Sequence, residues 1–168
     1  MDKQFFSQGE TIEQFLERFG ADARSKFEQH LRESELDQSQ LDELDKLPRN
    51  INVLVIAEPW SGDVLYNLPT LVRFADAAKW NVRIFPRDSY PDLILPYRKD
   101  DLYHSIPVFV FYDSNFVELG HWIERPVIAT QVIDDESLKL RRSLREQNKE
   151  SWRKATQTEL FDLLKPLG

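Results

Sequence analysis

At 168 residues, with 41% hydrophobic and 12% aromatic side chains, the chain can bury one domain's core and is too apolar to stay disordered. Its 29 Asp and Glu outnumber 22 Lys and Arg, and the net charge of −7 argues against a phosphate backbone as partner. There is no cysteine, so the chain's own residues can supply no disulfide, thiolate nucleophile or cysteine metal site.

The opening MDKQFFSQGETIEQF lacks the apolar stretch of a secretory signal, and no apolar run approaches the ~20 residues of a membrane span. The expectation is a cytoplasmic protein that does not engage membranes. The first fifty residues read as short, charged helices. Thr11 and Gln14 form a capping-box pattern ahead of Ile12, Phe15, Leu16 and Phe19, and Gly20 is expected to stop that helix. A second helix is predicted over 21–36, carrying Phe27 and Leu31. A third is predicted over 39–47, where Leu41, Leu44 and Leu47 recur before Pro48. Each has one apolar stripe and needs a larger element to pack on.

That element begins at Ile51. Ile51–Ala57 is nearly continuous in apolar and β-branched residues, the pattern of a strand covered on both faces. Pro59 to Gly62 read as a turn. From Asp63 the spacing turns helical, with Val64, Leu68, Leu71, Val72, Ala75 and Ala78 on one side and Pro69 inside as a kink. Asn81–Phe85 is a second strand, and strand, helix and strand in about 35 residues predict a parallel βαβ unit with a right-handed crossover. The segment 91–101 is broken by proline and partly helical. Pro107 opens another strand through Tyr112, Asp113-Ser114-Asn115 turns the chain, and Phe116–Leu119 returns antiparallel before Gly120. Beyond Pro126 the chain reads as helical again, with one segment over 136–148 and another capped near Thr158.

These landmarks, in this order and spacing, resemble the thioredoxin fold. Trp60-Ser61-Gly62-Asp63-Val64 stands where thioredoxins carry Trp-Cys-Gly-Pro-Cys, directly after the first strand of the βαβ unit. Pro69 matches the kink proline of the active-site helix, and Ile106-Pro107 matches the Ile and cis-proline that face the motif. Gly120 fits the glycine after the last hairpin strand. In more detail the chain is similar to a bacterial subgroup of thioredoxin family proteins with N-terminal helices, a Trp-Cys-Gly-Asp motif and an Asn-x-Pro stretch like Asn67-Leu68-Pro69. The likeness spans residues 10–125. It implies an α/β, thioredoxin-like three-layer sandwich: a central mixed sheet flanked by helices, with additional N-terminal helices. The implied organisation is one domain over 1–168, made of a helical extension (1–49), the core (50–125) and C-terminal helices (126–168).

The likeness also exposes departures. Ser61 and Val64 replace the two motif cysteines, and Val55 replaces the buried Asp that shuttles protons six residues earlier. Disulfide exchange needs a thiolate attacking sulfur, so the degenerate motif Trp60 to Val64 cannot run it. What the resemblance leaves is a groove formed by Trp60, Ser61, Gly62 and Asp63 facing Ile106 and Pro107, whose backbone pairs with extended peptide in the family. The implied function is a non-catalytic binding or chaperone-like module for a protein or peptide, with no cofactor and no metal. The alternatives are a family oxidoreductase or a glutathione- or small-molecule-binding enzyme with diverged chemistry.

Individual residues have simpler readings as well. Ser61 suits a helix N-cap, or with Gly62 a backbone anion site, and Asp63 complements the helix dipole. Trp60 is either an exposed contact or a lid over the core. A Ser61–His104 hydrolase lacks the Gly-x-Ser-x-Gly elbow. His30, His104 and His121 fall on separate elements without metal-ligand spacing. Lys139, Arg141, Arg142 and Arg145, near Asp134, Asp135, Glu136 and Glu146, read as a salt-bridged solvent face.

Overall fold

The apolar run after Pro48 becomes strand β1 (Asn52–Ala57), inside a four-stranded sheet. The structure, a computed structural model, describes residues 1–134 and 136–167, with the Leu167 side chain excepted. Asp135 of the charged cluster lies outside the described residues. Strand β2 (Asn81–Pro86) runs parallel to β1, as the βαβ reading requires. On the other side β3 (Val108–Tyr112) is antiparallel to β1, and β4 (Glu118–Ile123) is antiparallel to β3, giving the order β2-β1-β3-β4. Val53 to Ala57 are all buried, so both faces of β1 are covered by helices. This is the mixed-sheet α/β sandwich of a thioredoxin-like fold. Strand β4 does not end at Gly120; it continues through it, after a register shift opposite Phe111 and Tyr112.

Helix α5 (Gly62–Ala78) makes the crossover, with Pro69 inside it. It ends on Lys79 in the left-handed region, φ 60°. Ahead of the sheet lie α1 (Lys3–Phe6), α2 (Ile12–Leu16), α3 (Ala21–Glu33) and α4 (Gln38–Leu44). The Thr11–Gln14 capping box forms, but Gly20 does not stop α2. It is the N-cap of α3, with an ordinary φ of −66°. Phe19 turns inward between them, its ring 5.5 Å from Phe15 and 5.8 Å from Phe27.

The segment between α1 and α2 adds to the open edge of the sheet. Glu10 and Ile84 exchange both backbone hydrogen bonds, at 2.8 Å each. Gly9 permits this approach: a Cβ there would lie 2.6 Å from a Phe85 ring carbon and 2.8 Å from Arg83 Cβ. Gly9→Ala is therefore expected to cost about 1–3 kcal/mol of overpacking. In urea unfolding its midpoint should fall with the slope unchanged, and an unshifted midpoint would mean the edge segment is not seated this way.

The C-terminal region departs most from expectation. A short helix α6 (Val127–Ile133) precedes a single long helix, α7 (Leu138–Leu164), where two separate helices were predicted. The polar stretch around Gln147–Lys154 lacks apolar period but is carried by ion pairs. Glu146–Lys149 and Glu150–Lys154 close at 2.8 and 2.9 Å, and Arg153 reaches Glu33 of α3 at 2.5 Å. Thr158 bonds back to the Lys154 carbonyl at 3.0 Å and caps nothing. The far end of α7 enters the main core through Leu160, Phe161 and Leu164. Leu163 closes over Gly120, where a Cβ would meet it at 2.8 Å. Among the described residues no helix is long and apolar enough to cross a membrane.

Candidate functional site

The turn after β1 holds the degenerate motif. Ser61 is the N-cap of α5, its Oγ accepting the Val64 N–H at 3.4 Å, while its own N–H donates to the Glu58 carbonyl at 3.2 Å. It is 9% exposed; Val64 and Val55 are fully buried. Trp60 is 63% exposed, so it is a surface contact and not a lid. The Arg87 guanidinium stands over its ring at 5.1 Å and also donates to the His104 carbonyl at 3.1 Å, tying the turn to the loop before β3.

The Ile106–Pro107 peptide bond is cis. Ile106 is 5% exposed, yet its backbone N–H and C=O have no hydrogen-bond partner among the described residues. The next carbonyl, of Pro107, accepts from Glu124 N–H at 2.7 Å. Between loop and turn opens a cleft of about 960 Å³. Trp60, Ser61, Gly62, Asp63 and Ile106 line it, with Lys26 and His30 from α3 and Leu138, Arg141 and Arg142 from α7. Pro107 and Val64 are buried and are not among the residues that line it.

Asp63 does more than answer the helix dipole. Its two oxygens accept from Arg145 Nε and Nη2 at 3.1 and 3.0 Å, and Arg125 Nη2 approaches at 3.3 Å. These side chains are nearly buried, at 11%, 12% and 4% exposure for Asp63, Arg145 and Arg125. Arg125 also pairs with Glu124 and, at 3.2 Å, with Asp134, and Lys99 bridges the same two carboxylates at 3.1 and 2.9 Å. The basic cluster on α7 is thus not a solvent face throughout. Arg145 locks the motif turn, and Arg141 donates to the Glu136 and Asp134 carbonyls at 2.7 and 2.6 Å, closing the α6–α7 turn. Lys139 and Arg142 remain exposed.

Asp63, already placed at the start of α5 and held by Arg145, supplies the negative charge that an anion would bring, which weighs against the anion reading. A Cβ on Gly62 would lie 3.1 Å from Arg145 Nη1. The hydrolase reading has no dyad either: among the described residues His104 makes no hydrogen bond to Ser61, whose oxygen faces Val64 N–H. His121 meets Glu118 at 2.8 Å on β4, and no group of three His, Asp or Glu is placed to hold a metal among the described residues.

Two features were not foreseen from the sequence. Asn67, read only as part of a motif, donates to the Asp63 and Glu124 carbonyls at 2.9 and 3.3 Å and accepts from Thr156 at 2.9 Å. It joins α5, the end of β4 and α7. His30 is buried against the cleft with its ring centroid 4.3 Å from that of Tyr66, whose hydroxyl donates to Glu146 at 2.8 Å. Burial lowers the His30 pKa below the usual 6.5, and Glu33 at 3.6 Å offsets only part of this. The unfolded chain then binds a proton that the native imidazole refuses, so stability falls as pH drops through 6.5 toward the native value. Urea midpoints at pH 7.5 and 5.5 should show this loss, and His30→Phe should shrink it. An equal loss in both proteins would assign it elsewhere.

Residues 9–139 match the family model described as Thioredoxin. No curated protein matches the chain. Similar solved structures include a protein of unknown function from Pseudomonas aeruginosa, 19% identical with a TM-score of 0.77, covering 97% of this chain and 96% of that one. An HIV epitope-scaffold is 18% identical with a TM-score of 0.76, covering 98% of both chains. At these identities the structures share the fold alone. The family match takes in the sheet, the motif turn and Ile106–Pro107, and on it this cysteine-free chain belongs to the thioredoxin family.

Proposed function

We propose that the protein is a redox-inactive member of its family that binds an extended peptide in the cleft between the Trp60–Asp63 turn and Ile106. The observation that carries this reading is the buried Ile106 backbone, whose N–H and C=O are unpaired among the described residues. Unpaired backbone groups out of water are costly, and an extended chain laid beside Ile106 would satisfy both, as a strand added to a sheet edge does. Exposed Trp60 offers such a chain an apolar surface with little rotamer freedom to lose. Catalysis by dithiol exchange is not part of this reading, since neither Ser61 nor Val64 can form a mixed disulfide.

A fluorescence titration against a library of unfolded peptides tests it. Saturable binding is expected, weakened about tenfold or more by Trp60→Ala, which should leave the melting temperature nearly unchanged. Absence of peptide binding, or measurable insulin reduction by the purified chain, would overturn the reading. A melting temperature raised by glutathione instead would favour the small-molecule alternative.

Ser61→Cys provides a second test of the same turn. A thiol at the start of α5, near Arg145, should ionise more readily than a free cysteine. It should be alkylated and should form a mixed disulfide with glutathione, both read by mass spectrometry. Insulin reduction should stay at background, because buried Val64 supplies no resolving sulfur. An inert thiol would close the cleft to substrates at this position.

A further inference from the structure

At the opposite end of the sheet from the motif turn, where β1 and β2 begin, lies a pocket of about 460 Å³. Four cations line it, Lys3, Arg49, Lys79 and Arg83, and among the described residues no carboxylate does. In a chain with 29 acidic residues this is a marked local reversal of charge. We infer that this pocket binds a phosphate group, carried either by free inorganic phosphate or by a small phosphate monoester.

The pairing of the four cations supports the inference. Elsewhere most Lys and Arg close on a carboxylate or a carbonyl, whereas Lys3, Lys79 and Arg83 have no ion pair among the described residues. Among the described residues Arg49 has only an exposed link to Asp45 at 3.2 Å, a kind of pair that costs little to release. Arg83 supplies a separate observation. Its Nε is buried without a hydrogen-bond partner, and its Cβ is pinned on β2 by the close passage of Gly9. A buried guanidinium N–H left without an acceptor is expensive, and a planar guanidinium is suited to take an oxyanion through two parallel bonds.

The floor adds polarity without negative charge. Asn81 donates to Asn52 Oδ1, and Asn52 donates to the Asp113 carbonyl, each at 3.1 Å. Gathered cations repel one another, so a group carrying two negative charges balances them better than a single carboxylate does. The volume lies within the ~300–1,000 Å³ range of small-ligand sites. A nucleic acid strand needs a long basic track, and the net charge of −7 opposes one.

The test is isothermal titration calorimetry on the whole chain at fixed ionic strength, with inorganic phosphate and glycerol 3-phosphate titrated separately. Saturable one-to-one binding is expected from at least one of them. Equal affinities would assign the site to free phosphate, and a tighter ester to a phosphorylated small molecule. Arg83→Gln should weaken binding about tenfold or more, the usual worth of a charged hydrogen-bonded contact. Lys79→Gly guards against a folding artefact. It removes a cation at a left-handed residue that glycine adopts without strain, so binding should weaken while the melting temperature holds or rises. No saturable heat from either ligand, or affinities unchanged in both variants, would overturn the inference.

Discussion

Asp63→Ala is expected to lower the free energy of unfolding by about 3–5 kcal/mol, the usual cost of breaking a buried ion pair from one side. The reason lies in what remains. Arg145 and Arg125, 12% and 4% exposed, would face each other beneath the cleft without the carboxylate that separates their charges. Arg125 keeps Glu124 and Asp134, so the larger burden falls on Arg145. Equilibrium urea unfolding measures the loss. Replacing Arg145 by Met in the same chain should recover part of it, because an uncompensated charge leaves with the side chain. A loss below about 1 kcal/mol would show that water reaches the pair, as at a surface salt bridge.

Phe74→Ala is expected to cost a similar ~3–5 kcal/mol by leaving a cavity in the core. Phe74 is fully buried on α5, its ring centroid 4.7 Å from Phe161 of α7 and 6.4 Å from Trp80. The effect should be directional. Amide hydrogen exchange should quicken at Leu160–Leu164, which pack into the same core, and stay slow in the centre of the sheet. Uniform quickening would mean that α7 and the sheet unfold as one unit.

The contrast between these two sites tracks what the sequence could reveal. Phe74 sits at helical spacing in an apolar pattern, and Ile51–Ala57 announces a doubly covered strand, because both signals are carried by neighbours along the chain. Ser61 as a cap and Pro69 as a kink were legible for the same reason, whereas the role of Ile106–Pro107 came from the family resemblance. The partnership of Asp63 with Arg145 spans 82 positions, while Asp134 and Glu146 offered Arg145 nearer acidic neighbours, so a local reading chose a solvent face. Gly20 misled because one residue type serves both as helix stop and as N-cap, and only its φ of −66° decides. Helix α6 falls in the stretch after Pro126 that reads as helical, but its bounds were not legible, because Val127–Ile133 is short and β-branched, a composition without helical period. The break predicted in α7 had a related cause: its middle is held by charges on other elements and has no apolar stripe of its own.

The continuity of α7 has a geometric consequence. The 27-residue rod seats Leu160, Phe161 and Leu164 in the core and, about 33–39 Å away at its start, presents Leu138 to the cleft. With no break between them, both ends share one rotational phase. One residue inserted after Trp152 would turn everything on one side of it by about 100°, carrying Arg145 away from Asp63 while the core end stays seated. Seven inserted residues would bring the phase back to within ~20°, but would shift the cleft wall by about 10 Å along the axis. Arg145 meets Asp63 because it stands fifteen residues before Leu160, so the composition of the cleft wall is fixed by residue count from the core as well as by side-chain chemistry.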